Sequence, residues 1–463
     1  MAYKLKNFVF SFVPVEIVAM FVAFFIYSGI WTPANRRALF TLLPCSKIHY
    51  IEGIVASNPI KTTSGWYYSM QFKTLQTATC NYILKSNNTY LSKNATNHSY
   101  TSSKSRGSIL LLIKANQVEA FFPGKLFTED ITKNTKLLNS NTHNLPIFET
   151  GAHLKVNVKW LKPNLENTSK ITLFSNPHTS NVFIAQNIEH CGWISKLSFF
   201  RAKFRLAFRK ILFLWGDAGG LLLALLSGTR EYTNLTLSEA FKNAGLSHIL
   251  ALSGMHLSLF AGFAKTIGKF TGGKRFSSLF SPVIVLLFVW FAGLSPSLFR
   301  ALLCTFIGLL IAFCFMKSRF SAILSLSFLL QLSICPQDAF SPAFILSYAA
   351  LTGIIVGEKI FSSINQRLFP SIIASGLTAS LGAQFCTAPI TASLFGTIMP
   401  IGILASVIIS PIASLFLVLG LCCIVIEMAV PVLMEPLGIV INFIYTILEH
   451  IILYFAQFPH ITL

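Results

Sequence analysis

Acidic side chains are scarce in this sequence, with 16 Asp and Glu among 463 residues against 36 Lys and Arg. They form no cluster of the kind that holds a metal ion or relays protons. The nine cysteines show no Cys-x-x-Cys or Cys/His spacing typical of a metal site, and the pattern G-x-x-x-x-G-K-[ST] is absent. The sequence therefore predicts no metal and no cofactor, and it excludes an ATPase that uses this phosphate-binding loop.

Charged residues of either sign are few, at 11% of the chain, whereas 53% of the residues are hydrophobic and the mean hydropathy is +0.64. This composition is typical of a polytopic helical membrane protein. The charge is unevenly placed. Residues 1–230 hold 26 Lys and Arg against 9 acidic residues, and residues 231–463 hold 10 against 7. A polar, basic first half therefore precedes a second half that lies mostly in the membrane.

The N-terminal segment 8–30, "FVFSFVPVEIVAMFVAFFIYSGI", is long enough to span a bilayer despite one Glu. No small-residue cleavage site closes it, so we predict an uncleaved transmembrane anchor rather than a signal peptide.

Residues 45–190 carry short β-like runs separated by polar segments, which predicts an all-β domain inserted in the membrane protein. The five candidate strands are "KIHYIEGIVAS", "WYYSMQFKTL", "GSILLLIKA", "AHLKVNVKWL" and "NVFIAQNIEH". Five strands suit a barrel or a sandwich, and we favour a barrel of the OB type. The run "KSNNTYLSKNATNHSYTSSKSRGS" between them is predicted to be a mobile loop. Cys45, Cys80 and Cys191 allow one disulfide if the domain faces an oxidising compartment, and the pairing stays open.

Residues 196–215, "KLSFFRAKFRLAFRKILFLW", form an amphipathic pattern with basic edges. The apolar stripe comprises Leu197, Phe200, Phe204, Phe208, Ile211 and Trp215. One edge carries Arg201, Arg205 and Arg209, and the other carries Lys196, Lys203 and Lys210. We predict a helix that lies in the membrane interface with its apolar side down. The basic edges suit a simple anchor or a rim that contacts phosphates, and the two roles are compatible.

The multi-helix membrane region is predicted to extend over residues 216–463, with "GLLLALLSG" (220–228) too short to span. Its apolar segments lie near 246–263, 280–294, 297–316, 320–335, 341–357, 371–398, 400–426 and 431–458. Four Ser-Pro pairs are expected to start helices, at 281–282, 295–296, 341–342 and 410–411. Pro389 and Pro400 are expected to break or kink helices.

Loop charges predict the orientation. The loop 264–278 carries four basic residues and the next loop, 295–297, carries no charge, and this alternation continues along the chain. Basic loops face the cytoplasm, which puts the β domain and the amphipathic helix on the outer side.

The stretch "HILALSGMHLSLF" (248–260) is the first candidate site. A histidine such as His256 is costly on an apolar membrane face unless it meets a partner or water, so it is either a buried structural residue or part of a hydrated wall. Ser253, three residues earlier, could hydrogen-bond it or mark a helix break that lines a cavity. A Ser253–His256 hydrolase is a third reading, but the sequence offers no triad acid and no nucleophile elbow.

Three later polar residues are further candidates. Arg300 lies about one turn into a predicted membrane helix, where it either reaches the interface or contacts a phosphate. Ser347 and Gln384 are uncharged residues suited to a hydrated lining or to hydrogen bonds between helices.

The chain resembles the ComEC family of bacterial competence proteins over 215–426, in the segments 221–263, 291–303, 335–354 and 376–413. The most specific match is the core "GLSHILALSGMH", in which the signature positions are Gly245, His248, Leu250, Ala251, Ser253, Gly254 and His256. Ser295, Pro296 and Arg300 fall in the second segment, Ser347 in the third and Gln384 in the fourth. The 45–190 region is similar to the family's extracellular OB-like domain.

This resemblance implies a channel in the bacterial inner membrane that passes single-stranded DNA into the cytoplasm during natural transformation, with no enzymatic activity. The candidate DNA contacts are then Arg201, Lys203, Arg205, Arg209 and Lys210. Expected partners are the bilayer, a periplasmic DNA receptor, a cytoplasmic helicase or strand-binding protein and a separate nuclease. Both a monomer and a homodimer fit. The metallo-β-lactamase-like pattern His-x-His-x-Asp-His of many relatives is absent, so we assign no nuclease activity. A carrier for another anionic solute is the alternative within transport.

Overall fold

The computed structural model describes residues 15–33, 39–62, 66–81, 99–119, 148–161, 181–229, 233–252, 254–315, 319–368, 370–459 and 461–462. These residues divide into two compact units. Asn35–Lys210 forms the first, which we call the barrel unit, and Met1–Ala34 with Ile211–Leu463 forms the second, the helical unit.

Helices make up most of the described chain. They are α1 (Val15–Tyr27), α2 (Ala115–Glu119), α3 (Lys196–Leu214), α4 (Gly216–Ser227), α5 (Leu235–Asn243), α6 (Ser247–Leu250), α7 (Gly254–Ala292), α8 (Pro296–Phe313), α9 (Phe320–Ile334), α10 (Pro342–Leu368), α11 (Ser371–Phe395), α12 (Gly402–Ala429) and α13 (Met434–Ala456).

The strands belong mainly to the barrel unit. They are β1 (Tyr50–Val55), β2 (Ile60–Lys61), β3 (Tyr67–Asn81), β4 (Ser99–Lys104), β5 (Ser108–Lys114), β6 (Ala152–Leu161) and β7 (Val182–Trp193), followed in the helical unit by the short pair β8 (Thr397–Ile398) and β9 (Ile461–Thr462).

Five strands close into a barrel in the order β1–β6–β7–β5–β3, with β3 pairing back to β1. The β5–β7 pair is parallel and the other four pairs of the ring are antiparallel. Closure leaves no free edge in this ring, which removes the main aggregation hazard of a small sheet. The predicted five strands and the barrel are confirmed.

Alternation along the strands fills the barrel. In β6, Leu154, Val156 and Val158 are buried, whereas the residues between them are more accessible. The same period of two places Met70, Phe72 and Leu111 in a single core with them. The hydrophobic pattern that predicted these strands therefore also selects the face that each strand buries.

One prediction for this unit is wrong. β4 lies within the predicted mobile loop, because Thr101, Ser102 and Ser103 pair with Thr79, Ala78 and Thr77 of β3 although the segment has no hydrophobic alternation. Of the three cysteines for which one disulfide was left possible, Cys45 and Cys191 are free thiols in this structure.

In the helical unit, α8, α12, α13 and residues Pro342–Ile360 of α10 are long and apolar enough to cross a membrane. The described part of the predicted N-terminal anchor is α1, with 13 residues. Its Ala19 and Ile26 pack with Leu324 and Phe328 of α9, so α1 belongs to the bundle rather than standing apart. These features are consistent with a multi-pass membrane protein.

The Ser-Pro prediction holds for two pairs and fails for two. Ser295 accepts a hydrogen bond from the Leu298 amide at 3.2 Å at the start of α8, and Ser341 accepts one from the Phe344 amide at the start of α10. By contrast Pro282 and Pro411 lie inside α7 and α12, as Pro389 lies inside α11. At Pro282 the neighbouring Ser281 hydroxyl donates to the Ala261 carbonyl on the other arm of α7.

Helix α7 also corrects the prediction of a loop over 264–278. It consists of two helical arms that meet at Gly273, whose φ of 76° and ψ of −171° interrupt the helix. The Ser277 hydroxyl donates to the Lys265 carbonyl, and Phe260 stacks on Phe288 with ring centroids 4.1 Å apart. The two predicted apolar segments are therefore the arms of one helical hairpin, with the basic residues near its tip.

Helices α10 and α11 approach through glycines. A Cβ placed on Gly353 would lie 2.2 Å from the carbonyl oxygen of Gly382, and one on Gly382 would lie 2.4 Å from that of Gly353. Both contacts are with backbone atoms, so rotation of a side chain cannot relieve them.

We predict that Gly353→Ala lowers the free energy of unfolding by about 1–3 kcal/mol, because the added methyl forces the two helices apart. Thermal unfolding of the detergent-solubilised protein, followed by its helical circular dichroism, measures the change. The matched control is Gly308→Ala on α8, where no atom lies within 4 Å of the added Cβ. Equal melting temperatures for the two variants would contradict the packing assigned to this helix pair.

Candidate functional site

The signature segment begins at the end of α5, where Gly245 adopts a φ of 73°. Its amide donates to the Lys242 carbonyl, which closes the helix end in the manner favoured by glycine. A Cβ on Gly245 would lie 3.0 Å from Met399 Cβ and 3.1 Å from Gly402 Cα. The Gln384 amide in turn donates to the Met399 carbonyl at 3.0 Å. Gly245 and Gln384 thus meet at one turn between α11 and α12.

The rest of the signature follows the short helix α6. His248 is exposed there, and Ser253 lies outside the described residues. Gly254 opens α7, and His256 on its first turn is fully buried. Next to it, Met255 Sδ lies 3.8 Å from the Ser414 hydroxyl of α12. The segment therefore leaves helical geometry at Ala251, between α6 and α7.

The start of α8 brings Arg300 to this segment. Ser295 caps the helix and Pro296 occupies its first turn, so these two candidates build the helix end. The Gln331 amide donates to the Pro296 carbonyl at 3.0 Å, which ties α8 to α9. Arg300 follows on the second turn and is only 6% exposed.

Two contacts hold the Arg300 guanidinium, and Gly254 lies beside it. Its Nη1 donates to the Ser347 carbonyl, and the group lies over the Tyr348 ring, 5.9 Å from the centroid. On the other side, a Cβ on Gly254 would lie 3.2 Å from Nη2. The structure thus brings together three residues that the sequence singled out separately: Gly254, Arg300 and Ser347. Ser347 contributes its backbone carbonyl.

A neutral hydrogen-bond network adjoins Arg300, and we call the whole the Arg300 cluster: Arg300, Cys304, Ser327, Gln331 and Tyr348. Tyr348 donates to Gln331 Oε1 at 3.0 Å, and Cys304 donates to the Ser327 hydroxyl at 3.2 Å. Ser327 and Gln331 are fully buried. The sequence analysis missed both residues. They are four residues apart on one face of α9 amid apolar residues, and this spacing is the signal that predicts them.

The other candidates lie in the barrel unit, on α3. Ser195 caps this helix by accepting from the Ser198 amide at 3.2 Å. Arg205 Nε lies 3.2 Å from Glu149 Oε2, and Arg209 reaches Glu149 Oε1. Glu149 is 3% and Arg205 is 1% exposed. The prediction that Arg205 and Arg209 contact DNA is corrected here, because both side chains are buried against this carboxylate.

Further contacts surround Glu149. Arg201 donates to the Thr150 hydroxyl at 2.8 Å, and with its amide suitably oriented Asn58 donates to Glu149 and accepts from Arg205. Burial raises the pKa of the Glu149 carboxyl, but the positive charges of Arg205, Arg209 and Arg201 outweigh burial and hold the pKa below its usual range. Burial, together with Arg205, lowers the pKa of Arg201 to about 10, so it stays charged at neutral pH.

The opposite edge of α3 remains accessible. Lys196 and Lys203 are exposed and Lys210 is half-buried. Between the edges, Leu197 is 67% and Phe200 is 61% exposed within this unit. The predicted apolar stripe is therefore exposed along the first half of α3, and its accessible basic edge consists of lysines. Among the described residues, no group of three or more His, Cys, Asp or Glu is placed to hold a metal ion.

Comparison with known proteins identifies the family of this chain. The profile of the family described as "Competence protein" matches residues 225–463, which include α7 to α13 and the Arg300 cluster. The chain is 28% identical over 168 residues to "ComE operon protein 3" of Bacillus subtilis (strain 168), covering 36% of this chain and 22% of that protein. It is 27% identical over 186 residues to an "Uncharacterized protein" of Aquifex aeolicus (strain VF5), covering 40% of this chain and 42% of that protein.

The matched region thus spans less than half the length of either curated relative. No solved structure matches this chain.

We predict that Glu149→Gln destabilises the barrel unit by about 3–5 kcal/mol, because it leaves two buried arginines without their counter-charge. Hydrogen exchange of peptides from β1 and β6 in the full-length protein measures the local free energy of opening. Glu189→Gln is the matched control, since Glu189 is exposed on β7. If both variants exchange at the wild-type rate, the ion pair does not stabilise this unit.

The same carboxylate predicts an acid dependence. Because its pKa is lowered in the folded state, Glu149 stabilises the fold fully above the ordinary glutamate pKa of about 4.3. That stability is lost as the pH falls from there through the lowered value. We therefore expect the difference in hydrogen exchange between wild type and Glu149→Gln to be constant near neutral pH and to shrink in acid. A difference that grows in acid would have the wrong sign for this pair.

Proposed function

This chain belongs to the competence protein family, and on that premise we propose that it is a channel that passes single-stranded DNA across the bacterial inner membrane during natural transformation. The observation that carries the proposal is the family match over the helical unit, which includes the Arg300 cluster. A bare phosphate chain cannot cross hydrocarbon, so a channel for it needs polar groups inside a helical bundle. The Arg300 cluster and the signature segment supply such groups.

The barrel unit fits a strand-binding role in this proposal. Its ring order β1–β6–β7–β5–β3 and its parallel β5–β7 pair support assignment to the OB type, whose open surfaces grip single strands. The alternation of basic and uncharged loops in the helical unit supports a position of the barrel unit outside the cytoplasm. A basic domain displayed there gives an incoming polyanion a receiving surface.

Helix α3 has two roles in the proposal. Its exposed Leu197 and Phe200 enter the membrane interface, where an amphipathic helix with lysine edges is stable. Lys196, Lys203 and Lys210 then face water and contact DNA phosphates, while Arg201, Arg205 and Arg209 hold the helix to the Glu149 segment.

Within the bundle we propose that the wall of the DNA path includes the signature residues and the polar residues beside them. These are Gly245, His248, Ser253, Gly254, His256, Arg300, Ser347 and Gln384. We assign the chain no catalytic step. Movement of the strand then depends on a cytoplasmic helicase or strand-binding protein, delivery on a periplasmic receptor, and removal of the second strand on a separate nuclease. A homodimer is compatible with this scheme.

A carrier for a small anionic solute is the competing function, and a Ser253–His256 hydrolase is the other. The carrier has no use for a basic strand-binding unit, and the hydrolase requires the Ser253 hydroxyl. Retained DNA uptake in a Ser253→Ala strain would remove the hydrolase from consideration.

We predict that the full-length protein in neutral-lipid nanodiscs binds a labelled oligothymidylate with an affinity that falls steeply with salt. Lys203→Glu with Lys210→Glu is expected to weaken binding about tenfold or more, because two phosphate contacts become repulsive. Fluorescence anisotropy measures both. Lys242→Glu on α5 is the control for a single exposed charge reversal. No binding by wild type, or binding that mononucleotides compete away at equal molarity, would favour the small-solute carrier.

A further inference from the structure

The Arg300 guanidinium is a buried positive charge without an anionic partner among the described residues. Arginine stays protonated in proteins, so it cannot escape this cost by losing its proton. The ion pairs formed by the described residues do not include Arg300. Among the described residues, the Arg300 Nε atom has no hydrogen-bond partner. The Ser347 carbonyl and the Tyr348 ring together offer partial negative charge only.

The surroundings of Arg300 are fixed rather than adaptable. Tyr348, below the guanidinium, is held by its hydrogen bond to Gln331, which in turn donates to the Pro296 carbonyl. On the opposite side lies Gly254, which has no side chain, and a Cβ there would lie 3.2 Å from Nη2. A planar donor fork kept in place by neutral groups is the arrangement that recognises a phosphate oxygen.

The position of the group along the helix is also suitable. Arg300 is five residues beyond the capping Ser295, which at 1.5 Å per residue is roughly 7.5 Å along the axis of α8. The group therefore lies near one end of the bundle, within reach of an anion that arrives from that side.

We propose that Arg300, with Gly254 and the Ser347–Tyr348 turn, is a phosphodiester-binding subsite at which the nucleic acid strand loses its first counterions on entering the bundle. The inference rests on the proposed function. The strand's phosphate supplies the missing negative charge and accepts from Nε and Nη2, and no covalent step is involved. A lipid phosphate has the same chemistry, so the test must distinguish it from a phosphate of the strand.

The test is the salt dependence of oligothymidylate binding by the full-length protein in neutral-lipid nanodiscs. Arg300→Gln is expected to weaken binding about tenfold and to reduce the slope of log affinity against log salt by about 0.7, the value for one phosphate contact on a single strand. Arg300→Lys keeps the charge and is expected to keep the slope. Arg319→Gln, which removes an exposed charge beyond the other end of α8, is the control and should keep both.

A second variant keeps the proposal testable if Arg300→Gln fails to fold. Gly254→Ala retains every charge and favours the helix, but its Cβ would lie 3.2 Å from Nη2. We expect it to fold and to bind several-fold more weakly. Folded Arg300→Gln or Gly254→Ala protein that binds like wild type, with an unchanged slope, would overturn the subsite and leave the channel standing. Absence of binding by wild type would overturn the channel itself.

Anionic nanodiscs separate the two sources of phosphate. If a lipid phosphate fills the subsite, phosphatidylglycerol raises the melting temperature of wild type but not of Arg300→Gln, while oligonucleotide binding does not depend on Arg300. That result contradicts the proposal. Melting temperatures that respond equally to the lipid in both proteins, with oligonucleotide binding that depends on Arg300, support it.

Discussion

Charge removed from water must meet opposite charge, and this constraint governs both units of the protein. In the barrel unit it is satisfied within the chain, since Glu149 lies between Arg205 and Arg209. In the helical unit Arg300 is nearly as buried, but its recorded contacts are neutral groups, the Ser347 carbonyl and the Tyr348 ring. One arginine cluster is therefore neutralised within the chain, while we propose that a ligand's phosphate neutralises the other. On that proposal, the difference separates the positive charges that build the fold from the one that receives a polyanion.

The rest of the structure places these charges. Barrel closure gives the Glu149 segment a rigid base, and the arginines at i, i+4 and i+8 fix one edge of α3 to that segment, so the lysines of the other edge remain accessible. In the helical unit, close contact at Gly353 and Gly382 packs α10 against α11. α10 also carries Ser347 and Tyr348, so the packing of this helix bears on the position of the Arg300 site.

Local patterns in the sequence were sufficient for much of this architecture. Alternation predicted the five barrel strands, the 3.6-residue period predicted α3 to within one residue of its end, and the caps at Ser295 and Ser341 followed from residue type. The failures involve distant partners. β4 gains its hydrogen bonds from β3, and Arg205 and Arg209 turn inward because Glu149, far away in the sequence, neutralises them. Pro282 and Pro411 lie inside helices rather than at the helix starts that their Ser-Pro pairs predicted. For the site, the sequence predicted Gly254, Arg300 and Ser347 but not their convergence, and it missed Gln331, which supports Tyr348.

The central claim is that this chain carries one DNA strand across the inner membrane. Its most direct test is the fate of labelled DNA in a strain that lacks the protein, scored as nuclease-protected label on either side of the inner membrane. We expect label that reaches the periplasm and never the cytoplasm, with entry restored by the wild-type gene. Normal entry into the cytoplasm without the protein would contradict it.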